Sequence, residues 1–146
     1  MLEWTPFKTI HWGRGQVSRH LDDVRVRLQE ALRLAPSDYQ RALEDLDNVL
    51  LEARASGNTK TITLLARNAG LIASRAGELQ KATVYYEEAI ASDPRDGYLR
   101  LAAADVYQHL EDAEGVRRHL EACQELVEKS EDDDLRIMLR NLMDDH

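Results

Sequence analysis

A single cysteine, Cys123, leaves nothing from which to build an internal disulfide framework or a cysteine-based zinc site. Prolines (three) and glycines (seven) are too few to interrupt the chain often, which favours long helices. No apolar run approaches the length of a membrane span. The opening residues, MLEWTPFKTIHWGRG, contain no basic stretch followed by an apolar one; with no secretory signal visible, a cytoplasmic location is the expectation. Bases are outnumbered by acids, 19 to 27, and a net charge of -8 argues against the phosphate neutralisation that nucleic-acid binding requires. A glycine-rich phosphate loop is also missing, because Gly13, Arg14 and Gly15 form too short a run with no strand before it. One local absence stands out: from Ala53 to Gly77 there is no acid, only the bases Arg54, Lys60, Arg67 and Arg75. Residues 111–146 are the opposite, with twelve acids against five bases.

What is present is a globular balance, 43% hydrophobic and 32% charged, in a length that fits one domain with a sizeable core. Apolar residues recur at helical spacing nearly throughout. Val17, Leu21, Val24, Leu28, Ala31, Leu32 and Ala35 form one stripe, which Pro36 ends. Ser37 with Gln40 reads as a capping box opening a second helix through Leu43, Leu46, Val49, Leu50 and Ala53, stopped by Gly57. Further helices are expected over 60–76, 79–92, 97–110 and 113–129, with Asp96 capping the third of these. Ser130 with Asp133 opens a last one carrying Leu135, Met138, Leu139 and Leu142. No strand periodicity appears, so the expected class is all-α.

The helices are related by self-similarity. Residues 63–94, TLLARNAGLIASRAGELQKATVYYEEAIASDP, place Gly70, the turn Gly77, Ala82, Tyr86, Ala89 and Pro94 in the order of one helix pair. This stretch resembles a tetratricopeptide repeat (TPR), a family in which a small residue of the first helix lets the second approach closely. The family's bulky first-helix positions fall here on Ala66 and Ala73. Moved 34 residues on, the frame lands on Ala104, Tyr107, Leu120 and Cys123, with Val116 for the alanine and Glu128 for the proline. Moved 40 residues back from Ala82, Tyr86 and Ala89, it gives Ala42, Leu46 and Val49. One added residue at the Pro36 turn then sets Leu28 and Leu32 on the packing face and Gln29 at the small-residue position. The resemblance implies a right-handed helical-hairpin solenoid of about three TPR-like repeats, in a repeat domain of residues 16–146 whose segment 131–144 is a capping helix.

Isolated candidates for chemistry read as structure. Cys123 falls where the frame wants a small buried residue. Asp105 and His109 lie one helical turn apart, but no third metal ligand is evident. Asp132, Asp133 and Asp134 suit the first turn of a helix, whose dipole favours acids. Tyr39, Tyr85, Tyr86, Tyr98 and Tyr107 read mostly as core rather than as a base-stacking platform. No nucleophile-and-base set is apparent, so no enzyme activity and no cofactor are expected.

In the TPR family the first helix of each pair lines a concave groove that selects a peptide or partner helix. By resemblance the groove positions here are Val26, Glu30 and Arg33; Leu64, Arg67, Leu71 and Arg75; and Tyr98, Leu101, Asp105, Gln108 and His109. Leu71 and Asp105 stand where carboxylate-clamping members use asparagine or a base, which speaks against that ligand. The mixed apolar and basic lining points to an acidic, partly apolar protein or peptide partner, with no nucleic acid and no membrane. The competing reading pairs Arg67 and Arg75 internally with acids such as Glu30 or Asp105.

Residues 1–15 form a second feature. Trp4, Phe7, Ile10 and Trp12 include both tryptophans and the only phenylalanine of the chain. Exposing such residues is costly. They are expected either to cap the first helix pair or to dock in a groove of the same or a neighbouring chain. The leading expectation is an interaction scaffold, and the alternative is a self-assembling TPR module that includes a homodimer.

Overall fold

The structure, a computed structural model, describes the backbone of residues 12–144 and the side chains of residues 22–144. Among them the chain forms seven α-helices and no strand: α1 (Trp12–Leu34), α2 (Tyr39–Ser56), α3 (Thr59–Arg75), α4 (Leu79–Ser92), α5 (Gly97–His109), α6 (Ala113–Glu128) and α7 (Asp133–Asp144). The helix starts are fixed by short polar side chains that take up otherwise orphaned N–H groups. Asp38 accepts from Arg41 N–H at 3.1 Å, Asn58 from Thr61 N–H at 3.1 Å, and Asp112 from Gly115 N–H at 3.0 Å. Asp96 caps α5 through Tyr98 and Leu99, and Asp132 caps α7 through Leu135 at 3.0 Å.

Two expected caps are displaced. The Ser37 hydroxyl turns back and donates to the Leu34 carbonyl at 3.1 Å, leaving α2 to Asp38. Ser130 accepts from Asp132 N–H at 2.9 Å and so braces the cap without being it. In both places a carboxylate next to the helix start is favoured over a hydroxyl, because the charge also meets the positive end of the helix dipole. Gly57 and Gly77 close α2 and α3 in the left-handed region, at φ 70° and 82°. Glu111 does the same work after α5 at φ 59° without being glycine; Asp112 N–H then donates to the Tyr107 carbonyl at 2.9 Å.

Each helix packs on the next in sequence, with α3–α4 and α5–α6 the most extensive pairs. Two pairs of odd-numbered helices also meet, α1 with α3 and α5 with α7. The result is a helical-repeat-like stack. Its main apolar cluster runs from Val24 and Leu28 of α1 through Leu46, Leu50, Leu65, Ala69, Tyr86 and Ala89 to Leu99, Ala103 and Val106 of α5. A second, smaller cluster joins Leu101, Cys123, Val127, Leu135 and Leu139. Of the positions expected from the repeat frame, Ala42, Leu46, Val49, Ala82, Tyr86, Ala89, Ala104 and Cys123 are buried, and Tyr107 and Leu120 are half-buried. Leu32 is 38% exposed, whereas Val24, Leu28 and Ala31 of the same stripe are buried.

Small residues mark the closest approaches. A Cβ on Gly70 would lie 2.9 Å from the Tyr86 ring, and one on Gly115 would lie 2.5 Å from the Tyr107 ring. The Leu135 tip rests on Gly97 at the corresponding distance of 2.5 Å, which seats α7 on the start of α5.

Candidate functional site

Leu64, Arg67, Leu71 and Arg75 recur at three- and four-residue steps, so they share one face of α3. The opposite side, with Leu65, Ala66, Ala69, Ile72 and Ala73, is buried in the core and holds that face in place. Leu64 and Leu71 are half-buried, whereas Arg67 and Arg75 are exposed. A cavity of about 370 Å³ continues the face toward the start of α3, with Lys60, Thr63, Leu64 and Arg67 opposite Ser92 and Asp93. From beneath, Tyr86 of α4 crosses Gly70. Burial pushes the Tyr86 phenol pKa up, and Asp105 of α5 adds to this; Arg75 and Arg67 act the other way. Charges from two odd-numbered helices thus act on one phenol.

The arginines of the acid-free segment divide between two faces. Arg54 forms a two-point ion pair with Glu88 of α4, both contacts at 2.6 Å, joining positions 34 apart. Among the described residues, carboxylates within ion-pair distance go to Arg27, Arg54, Arg117, Arg118 and Arg136, and none goes to Arg67 or Arg75. Internal pairing with Glu30 or Asp105 is therefore not seen there.

The remaining candidates are spread more widely. Val26 is 53% exposed on α1, where Arg33 is also exposed. Tyr98, 42% exposed, donates its hydroxyl to Asp132 at 2.9 Å, again across 34 positions. Leu101 is only 5% exposed and lies in the smaller cluster under α7, so it is the floor of a recess more than a free lining residue. Asp105 and His109 are exposed; His109 Nδ1 lies 2.8 Å from the Asp105 carbonyl oxygen and 3.8 Å from its carboxylate. Trp4, Phe7 and Ile10 lie outside the described residues, and Trp12 is described only as the first backbone residue of α1.

Sequence reasoning missed a polar cluster built around the buried His119 at the junction of α4, α5 and α6. Glu87 Oε2 accepts from Arg118 at 2.7 Å and from the Tyr107 hydroxyl at 2.7 Å, and it lies 3.1 Å from His119 Nε2. These three donors hold the Glu87 carboxyl down at about 2 against the desolvation that opposes them. His119 is fully buried, stacks on Tyr107 at 5.4 Å, and has its Nδ1 3.3 Å from Arg100 Nη1. Burial pushes the His119 pKa down, so the ring is neutral at pH 7, donating to Glu87 and accepting from Arg100. Arg100 Nε is buried without a partner among the described residues. Nothing in the spacing of Glu87, Arg100 and His119 signals that three helices bring them together. Cys123 is fully buried near Arg100, its thiol pushed up to about 11, which makes it a poor nucleophile.

Among the described residues no group of three or more His, Cys, Asp or Glu could hold a metal ion, and no helix is long and apolar enough to cross a membrane. The sequence matches no protein-family model and no curated protein.

Proposed function

We propose that this chain is a non-enzymatic protein-interaction scaffold of the tetratricopeptide type, a right-handed solenoid of three helix pairs capped by α7. Its inner face holds an acidic, partly apolar peptide or helix. The observation that carries this reading is the α3 face. Arg67 and Arg75 stand in solvent with no carboxylate partner among the described residues, flanking the half-buried Leu64 and Leu71. A base left unpaired in a chain of net charge -8 keeps its full attraction for an incoming acid. The meeting of α1 with α3, and of α5 with α7, supports an inner layer of odd-numbered helices. The test is the double charge reversal Arg67→Glu, Arg75→Glu. A partner isolated on the wild-type chain from its source cell should bind the variant more weakly and with a smaller salt dependence, because two counter-charges are gone. The variant's melting temperature should barely move. Unchanged affinity and salt dependence in a folded variant would remove the α3 face from the interaction.

A further inference from the structure

A recess of about 410 Å³ opens between α5 and α7. Its floor is Leu101 with the half-buried Leu142, and its rim carries Tyr98 and Met138, 42% and 47% exposed. The polar edge is Asp105 and Asn141, and exposed Asp134 stands one turn before Met138 on α7. The segment that forms α5, α6 and α7 is acidic in balance: residues 97–144 carry twelve acids against six bases. An apolar floor edged by the Asp105 carboxylate fits a segment with large apolar side chains and positive charge.

The chain itself contains such a segment. Trp4, Phe7, Ile10 and Trp12 supply the apolar side chains, Lys8 is the one Lys or Arg between them with no acid beside it, and Arg14 and Arg19 follow at the start of α1. Its own groove is badly placed for it. α1 packs on α2 and α3, whereas α7 packs on α5 and α6, at the other end of the stack. Helix spacings of about 8–10 Å put the α5–α7 recess roughly 25 Å across from α1. The eight residues from Trp12 back to Trp4 span at most about 29 Å when fully drawn out. That leaves no slack to lay the aromatic residues along the recess. A neighbouring molecule imposes no such limit.

We propose that residues 4–12 of one copy dock in the α5–α7 recess of a second copy, giving head-to-tail association. The recess lies at the other end of the stack from α1, to which the segment is joined, so the contact is heterologous and each copy can both give and receive. The inference does not rest on the reading of the α3 face, although Asp105 borders both.

The test uses full-length chains by analytical ultracentrifugation. The wild type should associate with rising concentration, more weakly at high salt. A donor-defective variant, Trp4→Ser with Phe7→Ser, and an acceptor-defective variant, Met138→Lys, should each be monomeric. Mixed together they should form a 1:1 complex that grows no further, because one intact segment and one intact recess remain. Met138 is half exposed, so its replacement leaves the fold intact, which circular dichroism checks. Asp105→Lys is the second acceptor variant. It should weaken association by about tenfold or more while strengthening any acidic peptide on the α3 face, which separates the two readings. A wild type that stays monomeric overturns the proposal, with protected tryptophan emission indicating docking on its own chain and water-exposed emission a segment free for an outside partner. Failure of the two variants to complement each other overturns it as well.

Discussion

The sharpest constraint at single positions is the space above the glycines. Gly70 and Gly115 face aromatic rings that are themselves hemmed in; Tyr86 is 4% exposed, and the Tyr107 hydroxyl is tied to Glu87. Gly97 faces only the tip of Leu135, which can rotate away. Gly70→Ala is therefore expected to cost about 1–3 kcal/mol and Gly70→Leu more, with Gly97→Ala the mildest alanine replacement. Chemical denaturation of the three alanine variants checks the order. Trimming the ring as well, with Gly70→Ala and Tyr86→Leu together, should cost less than the sum of the single changes, since both act on one contact. The role of Gly70 was legible from the sequence because a glycine in the middle of a helix weakens it, and a close approach by a second helix offsets that cost. The role of Glu111 was not, because nothing in a glutamate announces a left-handed backbone; the turn before α6 imposes it through the Asp112 and Tyr107 hydrogen bond.

Glu87 and His119 link the residue scale to pH. The folded Glu87 carboxyl titrates at about 2 against an ordinary 4.5, so its contribution is complete above pH 4.5 and lost as pH falls toward 2. His119 is lowered from an ordinary 6.5, so the folded state resists its protonation: stability is full above pH 6.5 and declines as pH drops below it. Acidification should therefore weaken the fold in two successive stages. His119→Phe should flatten the stage beginning near pH 6.5, and Glu87→Gln the stage below 4.5. Urea denaturation across this pH range reads both. The Glu87 effect will be smaller than its shift implies, because the side chain is 35% exposed and solvent screens it.

At the scale of elements, boundaries followed closely from sequence wherever a stripe met a Gly or Pro, as at Gly57, Gly77 and Pro94. The caps were less legible, since Ser37 and Ser130 compete with nearby aspartates and charge decides between them. The α3 face could be assembled in advance because its four residues share one helix. The recess above Leu101 could not, because Leu101 becomes a floor only once Met138 and Leu142 arrive from α7. α7 is held by few residues: Leu135 and Leu139, 4% and 2% exposed, against Leu101, Cys123 and Val127. Leu139→Ala should cost about 2–5 kcal/mol, and the loss should appear first as exposure around Leu101 and Val127. Increased binding of a hydrophobic dye before the main melting transition would register it.

For the whole molecule, the two apolar clusters do not merge. The larger ends on one side of α5 at Leu99, Ala103 and Val106, and the smaller begins on the other side at Leu101. Between the even-numbered helices on that border sit Glu87 and His119, with Arg100 reaching in from α5. Apolar burial is non-directional and tolerates small slips, whereas this seam holds only while its hydrogen bonds are aligned. A stack whose helices touch mainly their sequence neighbours has little else to carry strain across such a border. The molecule should accordingly open in sections, with amides of α6 and α7 exchanging with deuterium while those of α2 to α4 are still protected. Equal protection in both sections would show that the seam transmits cooperativity as fully as a continuous core. Unequal protection would give the C-terminal section a lifetime of its own, so that anything gripping α5 and α7 would be felt as a slower opening of that end before it altered the rest.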